Sequence, residues 1–298
     1  MLNIELEKRI QKEIDQSGFP LELDVVADLR EANYIVSPNL SFSNGERLAR
    51  EIDAVAFSNE ETPDGWPFGV IGNVLAVECK RQRKKPWVFF EEGLDPLAVL
   101  GLGTEIDILT ELEYTLPYNV LAACMNSPLR GHHFNGFLPR ARTYFEAFSK
   151  PNQENSIYKA VQSVWHALTF IRSWFGEQGF DRTPKASAVK RRTFLLQGVI
   201  VLDGQLLLAS KEGDEFTLAE SDHIILRTID RLTREGKSAF GIGEEIVIDV
   251  VSYRGLAKYL DQSVKNVELL SQHLSAQLKA GWILDSSNSS SEGQGAGE

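Results

Sequence analysis

The stretch that decides the fold covers residues 70–80 and reads Val-Ile-Gly-Asn-Val-Leu-Ala-Val-Glu-Cys-Lys. Alternate residues of a β-strand share one face. The odd-numbered residues from Leu75 to Cys79 therefore form an unbroken apolar face. Glu78 and Lys80 share the other face, which is apolar before them. The pattern predicts a strand that is buried on both sides until it presents a carboxylate and an ammonium group together.

A second carboxylate, Asp53, lies inside the preceding predicted strand, Arg50–Phe57. If the two strands pair as a hairpin, Asp53 stands beside Glu78. Neighbouring buried carboxylates are costly unless a cation neutralises them. Mg²⁺ uses one or two carboxylates together with waters and substrate phosphate oxygens. A lysine nearby can orient an attacking water or stabilise developing negative charge. This combination indicates hydrolysis of a phosphodiester.

The periodicity of the remaining chain predicts both helices and strands. Apolar spacing predicts helices over residues 4–16, 155–175 and 256–278. Weaker patterns favour helices at 119–125 and 140–148. Strands are expected at 21–29, 34–42 and 245–253, and a hairpin over 194–209 with its turn at Asp203-Gly204. The chain should therefore open with one helix followed by four strands.

Composition excludes several classes of protein. The chain has 298 residues, 43% of them apolar, and its 16 Phe, 7 Tyr and 5 Trp are enough for a sizeable core. The charged N-terminus is unlike a secretory signal peptide, and no apolar run approaches the roughly 18 residues of a membrane helix. Two cysteines cannot build a disulfide framework and fit a reducing compartment. We therefore expect a cytoplasmic protein, of a bacterium or archaeon, with no membrane partner.

Charge is distributed unevenly along the chain. The net charge is −11, which argues against non-specific coating of nucleic acid. Residues 78–85 nevertheless carry five positive residues against one negative. Residues 86–129 contain no Lys or Arg but seven acids. The basic residues directly after the motif, Arg81, Arg83, Lys84 and Lys85, are predicted to contact nucleic-acid phosphates.

At this point the residues resemble a known family. The order of a helix, strands, Asp53 and then Glu78-Cys79-Lys80 is similar to the PD-(D/E)XK nuclease superfamily, which has a restriction-endonuclease-like fold. The residue before Asp53 is Ile52, so the Pro of the family name is missing. The resemblance implies that Asp53 and Glu78 bind Mg²⁺ or Mn²⁺ with help from the backbone carbonyl of Cys79. It also implies that Lys80 acts on the nucleophilic water.

The same resemblance suggests two accessory positions. The family often adds an acid on its first helix; Glu7 would be that acid, with Glu13 as the competing choice. The long helix after the catalytic strands would contribute Gln162, with His166 one turn later. Some members carry a Gln-x-x-x-Tyr element there, and His166 departs from it.

The expected fold is α/β, with a mixed sheet of about five strands flanked by helices. Four segments are expected: an N-terminal part of the nuclease core over residues 1–92, an acidic helical insertion over 93–150, the remaining core with an αβ extension over 151–285, and a disordered tail over 286–298. A basic linker is expected within the third segment, near residues 182–189.

The function indicated is metal-dependent hydrolysis of nucleic acid, with DNA favoured over RNA, in a restriction, repair or anti-phage role. The alternative is a non-catalytic scaffold or binding subunit that retains the nuclease fold. A third interpretation is a component of a larger assembly, in which a protein partner or a second copy of the chain supplies target recognition.

Overall fold

In the residues that the computed structural model describes, nine strands and four α-helices form a mixed α/β architecture. It describes residues 3–43, 49–58, 70–92, 107–110, 138–150, 155–177, 192–229 and 245–279. The helices are α1 (Ile4–Gln16), α2 (Phe19–Glu31), α3 (Ser156–Glu177) and α4 (Leu256–Lys279), and a 3₁₀ turn at Tyr253–Gly255 precedes α4. The strands are β1 (Ile35–Phe42), β2 (Arg50–Phe57), β3 (Val70–Glu91), β4 (Asp107–Thr110), β5 (Arg140–Glu146), β6 (Arg192–Glu212), β7 (Glu215–Glu220), β8 (His223–Ile229) and β9 (Glu245–Ser252).

The strands form one mixed sheet that closes on itself. Its order is β1-β2-β3-β5-β8-β9-β6-β4, with β7 beside β6. A further parallel pairing joins β3 directly to β6. Strands β3, β5, β8, β9 and β6 thereby make a closed ring of five strands. The mixed α/β class is confirmed, whereas the expected mixed sheet of about five strands is replaced by a larger sheet that contains a closed five-stranded barrel.

Two apolar clusters lie on the two sides of β3. Val74 and Ala76 belong to the cluster that α3 covers, which also fills the ring with Trp87 and Phe89. Leu75, Val77 and Cys79 belong to the cluster beneath α2 and α4. The predicted alternation of β3 is confirmed, and the strand is buried on both faces.

Segment 21–29 was predicted as a strand, and this was wrong because it forms α2. Its buried residues are Leu21, Val25, Val26 and Leu29, which follow helical rather than alternating spacing. Pro20 lies in the first turn of the helix, where its missing N–H has no partner to lose. The chain therefore opens with two helices and three strands.

Segment 140–148 was predicted as a helix, and this was also wrong. Its apolar spacing fits either period, but Thr143-Tyr144-Phe145 is a β-branched and aromatic run that suits a strand. The extended end of β3 supplies the partner, with Val88 opposite Phe145 and Phe90 opposite Thr143. The helix expected at 119–125, the basic linker and the tail over 286–298 lie outside the described residues.

The hairpin expected at Asp203-Gly204 is absent, because β6 runs straight through both residues. Gly204 lies against β3, where an added Cβ would sit 2.6 Å from the carbonyl oxygen of Gln82. Glycine therefore serves a close approach of two strands here, not a turn. The turn comes nine residues later at Gly213, whose φ is +65°, and leads into β7.

The other elements agree with the sequence patterns within a few residues. These are α1, β1, β2, the start of β3, α3, β9 and α4. None of the helices in the described ranges is long and apolar enough to cross a membrane.

Gly198 on β6 sets the position of α3 over the sheet. An added Cβ would meet Val164 Cγ1 at 2.4 Å and Leu168 Cδ1 at 3.0 Å. Overpacking of this kind costs about 1–3 kcal/mol. We predict that Gly198→Ala lowers the free energy of unfolding by about that amount in chemical denaturation.

The control is the same substitution in a Val164→Ala background, where the methyl group that clashes is gone. The cost of Gly198→Ala should fall by about half or more there, as a double-mutant cycle measures. An unchanged denaturation midpoint for Gly198→Ala alone would show that α3 does not pack this closely on β6.

Candidate functional site

The two predicted carboxylates lie side by side on neighbouring strands. Strands β2 and β3 are antiparallel with Ala54 opposite Val77, and one step further along this register Asp53 is opposite Glu78. The Asp53 Oδ2 atom accepts a hydrogen bond of 2.6 Å from the backbone N–H of Cys79. That bond fixes the Asp53 carboxylate against the end of the Glu-x-Lys segment.

Burial makes Glu78 an unusual carboxylic acid. The residue is 5% exposed and lies on the face of β3 that α3 covers. Desolvation raises the pKa of Glu78 to about 7, and the charge of Asp53 adds to this, while Lys80 and a hydrogen bond from Ser163 oppose it. Desolvation also raises the pKa of Asp53, against the Cys79 N–H and Lys80. The pair thus holds protons more tightly than free carboxylates do.

Lys80 supplies the cation of the cluster. Its Nζ atom forms an ion pair with Oε1 of Glu78. The Lys80 side chain is 27% exposed, whereas the Glu78 side chain is 6% exposed, so the ion pair extends from the buried carboxylate toward solvent. This is the arrangement that the alternation of β3 predicts, with Glu78 and Lys80 on one side of the strand.

Helix α2 adds an acid that the sequence patterns missed. Glu22 is half-buried, and its pKa is raised by burial first and next by the negative charge of Asp53, with Lys80 opposing. Glu7 and Glu13, the two acids considered from sequence, lie exposed on α1. The error in segment 21–29 concealed Glu22, because a strand there gives no reason to aim this residue at Asp53.

Helix α3 reaches the site through Ser163 rather than through the residues predicted from the resemblance. The hydrogen bond from Ser163 lowers the pKa of Glu78. Gln162 donates from Nε2 to the hydroxyl of Tyr158 over 2.7 Å. His166 is half-buried one turn further along α3.

Two of the residues predicted to contact phosphates, Arg81 and Arg83, bind other groups of the protein. Arg81 donates to the backbone carbonyls of Asp15 and Ser17, at the end of α1, and lies 3.2 Å from Asp203 Oδ2. Arg83 donates to the same oxygen over 2.9 Å. By alternation Arg81 lies on the Cys79 side of β3, opposite to Glu78, and Arg83 shares its Asp203 partner.

The two lysines of the basic run differ from the arginines. The β3–β6 register breaks between Gln82 and Trp87, so the intervening residues bulge from the ladder. Lys84 is exposed on this bulge, and Lys85 is half-buried and acts electrostatically on Glu146. The bulge therefore presents Lys84 to solvent.

Cys79 is buried, and desolvation raises the pKa of its thiol well above the ordinary value. A thiol in that state is a poor nucleophile. Cys79 contributes to the site through its backbone N–H, which donates to Asp53.

The carboxylates of Asp53 and Glu78 are the kind of ligand that a hard divalent cation binds. Mg²⁺ takes one or two protein carboxylates and completes its octahedron with water and substrate oxygens. Asp53 and Glu78 offer that number of carboxylates, and desolvation raises the pKa of both. Within the described ranges, no group of three or more His, Cys, Asp and Glu side chains is arranged to hold an ion.

No family model, curated protein or solved structure matches the chain. Asp53, Glu78, Lys80 and Glu22 are therefore the residues whose geometry bears on function.

The raised pKa of Glu78 has a consequence for stability. Between its ordinary value of 4.5 and about 7, the folded protein keeps a proton that the unfolded chain has lost. The stability from this group is complete below pH 4.5 and is lost as pH rises through 7. We predict that Glu78→Gln, which cannot ionise, gains stability over the wild type by about 2–3 kcal/mol from pH 5 to pH 8 in EDTA.

Glu146 is the matched control. Burial raises its pKa, but hydrogen bonds from Ser156 and Ser149 and the charge of Lys85 outweigh burial and lower it overall. Glu146→Gln should therefore lose stability relative to the wild type at neutral pH, the opposite sign. A difference between Glu78→Gln and wild type that is constant with pH would contradict a raised pKa at Glu78.

The position of Glu22 predicts a second asymmetry. Glu22→Gln should weaken the binding of Mn²⁺ by about tenfold, because it removes one negative charge coupled to Asp53. Glu7→Gln changes the same chemical group on α1 and should leave Mn²⁺ affinity within about twofold. Titration calorimetry at one pH compares the two variants, and equal affinities would remove Glu22 from the cluster.

Proposed function

We propose that the chain is a divalent-metal-dependent nuclease that hydrolyses phosphodiester bonds, with DNA as the favoured substrate. The observation that carries the proposal is the pair of adjacent carboxylates, half-buried Asp53 and buried Glu78, with Lys80 paired to Glu78. A structural ion pair needs only one carboxylate for one ammonium. The second carboxylate adds repulsion that a bound cation would relieve.

The residues have separable roles in the proposed reaction. Asp53 and Glu78 would hold Mg²⁺ or Mn²⁺, which supplies Lewis-acid polarisation of the phosphate and a more acidic water. Lys80 lies at the solvent side of the pair, where its ammonium would orient the attacking water and stabilise negative charge that develops on the phosphate oxygens. Ser163 and the Cys79 N–H would keep the two carboxylates in place.

We also propose that the core is a variant of the restriction-endonuclease-like fold. The order on which the resemblance rests is present: α2, then β1 to β3 with Asp53 and Glu78, then the long helix α3 over the carboxylate face. The sheet that closes through β3, β5, β8, β9 and β6 is a departure from the expected arrangement. Under this proposal α2, rather than α1, takes the place of the first helix.

The path of the substrate follows from the charged side chains. Lys80 and Lys84 remain available to phosphates, whereas Arg81 and Arg83 pair with Asp203 on the other side of β3. Arg81 and Arg83 therefore contribute more to the contacts of β3 with α1 and β6 than to substrate binding. The buried thiol of Cys79 supports a reducing compartment, and we propose the cytoplasm.

The direct test is a nuclease assay. The protein is incubated with linear, circular and single-stranded DNA and with RNA, in Mg²⁺, Mn²⁺ or EDTA. We predict metal-dependent cleavage that falls about 100-fold or more in Glu78→Gln, Asp53→Asn and Lys80→Met, because each removes a ligand or the charge beside the water. Cleavage of circular DNA would show endonuclease action.

Arg83→Gln is the control, since it removes a cation of the same basic run that pairs with Asp203. Its cleavage rate should remain within about threefold of the wild type. Binding of Mn²⁺ that is lost in Asp53→Asn, without any cleavage, would favour the non-catalytic scaffold. A chain that neither binds Mn²⁺ nor cleaves would refute the proposal.

A further inference from the structure

The hairpin of β6 and β7 ends in a strand edge that carries no partner among the residues the structure describes. Strand β7 pairs with β6 from Leu207–Glu220 to Glu212–Glu215, and with no other described strand. All six of its residues are exposed. The outer edge of β7 therefore presents backbone N–H and C=O groups to solvent, which is a template for another strand.

The side chains of β7 add an apolar surface to this edge. Phe216 is 58% exposed and Leu218 is 61% exposed. The Phe216 ring packs edge-on against Phe90 of β3, with centroids 5.7 Å apart. Natural edge strands are commonly protected by Lys, Pro or a bulge. The sequence Glu-Phe-Thr-Leu-Ala-Glu has no Lys or Pro, and its pairing with β6 is regular.

The charge of the hairpin is strongly acidic. Glu212, Asp214 and Glu215 surround the turn, and no cation in the described ranges forms an ion pair with any of them. At the other end of β7, Glu220 lies 3.2 Å from Arg254. A strand laid along the edge would therefore meet negative charge most strongly beside the turn.

We propose that β7 binds an extended segment of another protein, with alternating apolar residues and basic ends, by β-strand addition. Main-chain hydrogen bonds would supply affinity, and apolar residues opposite Phe216 and Leu218 would supply register. A second copy of this chain fits poorly, because antiparallel pairing of two β7 strands would place Glu215 opposite Glu220. This inference is independent of the proposed nuclease activity.

The probe is the blocked hexapeptide Lys-Thr-Val-Thr-Val-Lys, which in antiparallel pairing sets its valines opposite Leu218 and Phe216. Its lysines then lie opposite Glu220 and Glu215. The full chain should bind it at least tenfold more tightly than Glu-Thr-Val-Thr-Val-Glu in a fluorescence titration. N-methylation of the peptide amides that face β7 should abolish binding. N-methylation of the amides between them should leave binding intact, because only alternate amides of an added strand face its neighbour.

The variant that keeps the fold is Glu215→Lys, a change at an exposed position. It should weaken the preference for the lysine peptide, because one peptide lysine then lies opposite a cation while the other still lies opposite Glu220. For the wild-type chain, equal affinities for the two peptides, or no binding of either at millimolar concentration, would overturn the proposal. A dimer at micromolar concentration that Leu218→Thr converts to a monomer would assign the edge to a second copy and would also overturn it.

Discussion

The parallel pairing of β3 with β6 is the constraint on which the rest of the structure depends. These two long strands run together from Val70–Arg192 to Phe90–Ala209, with one break after Gln82. Five further strands pair directly with β3 or β6, namely β2, β4, β5, β7 and β9. Strand β8 closes the ring between β5 and β9, and β1 joins the sheet through β2. Parallel strands are normally covered on both faces, and here α3 covers one side while α2 and α4 cover the other.

This pairing also determines the environment of the candidate site. Glu78 lies opposite Ile200, in the part of β3 where both faces are covered by helices. A carboxylate there loses most of its hydration, which is the main reason for its raised pKa. Gly198, two residues before Ile200, lets α3 approach closely enough for Ser163 to reach the same carboxylate. The chemistry of the site is therefore a consequence of packing around the strand pair.

Local patterns predicted the middle of the sheet well. The alternation in residues 70–80 assigned Glu78 and Cys79 to opposite sides, and the apolar spacing of α1, α3 and α4 gave helices in the right places. Where both periods fitted, as in residues 140–148, the partner strand decided the outcome, and that partner lies 50 residues earlier in the chain. The Asp203-Gly204 pair resembles a hairpin turn, yet the close approach of Gln82 is what requires its glycine.

The candidate site was predictable to the same extent. Asp53, Glu78 and Lys80 follow from strand alternation and one hairpin, which are local rules. Glu22 and Ser163 come from helices whose placement depends on the packing of the whole sheet, so no spacing in the sequence could indicate them. The pairing of Arg81 and Arg83 could not be predicted for the same reason, since Asp203 opposes them from a strand more than a hundred residues later.

The charged cluster of Asp53, Glu78 and Lys80 does not stabilise the fold as well as apolar residues would, which indicates a purpose other than stability. Buried ion pairs are commonly neutral or unfavourable compared with apolar residues of similar size. Here the cost is larger, because the pKa values of Asp53 and Glu78 are both raised and, among the described side chains, Lys80 is the cation that opposes both shifts. Val74 and Ala76 show that apolar residues suit this face of the strand. A local violation of packing rules that is supported by a backbone N–H and a serine hydroxyl is typical of a functional site.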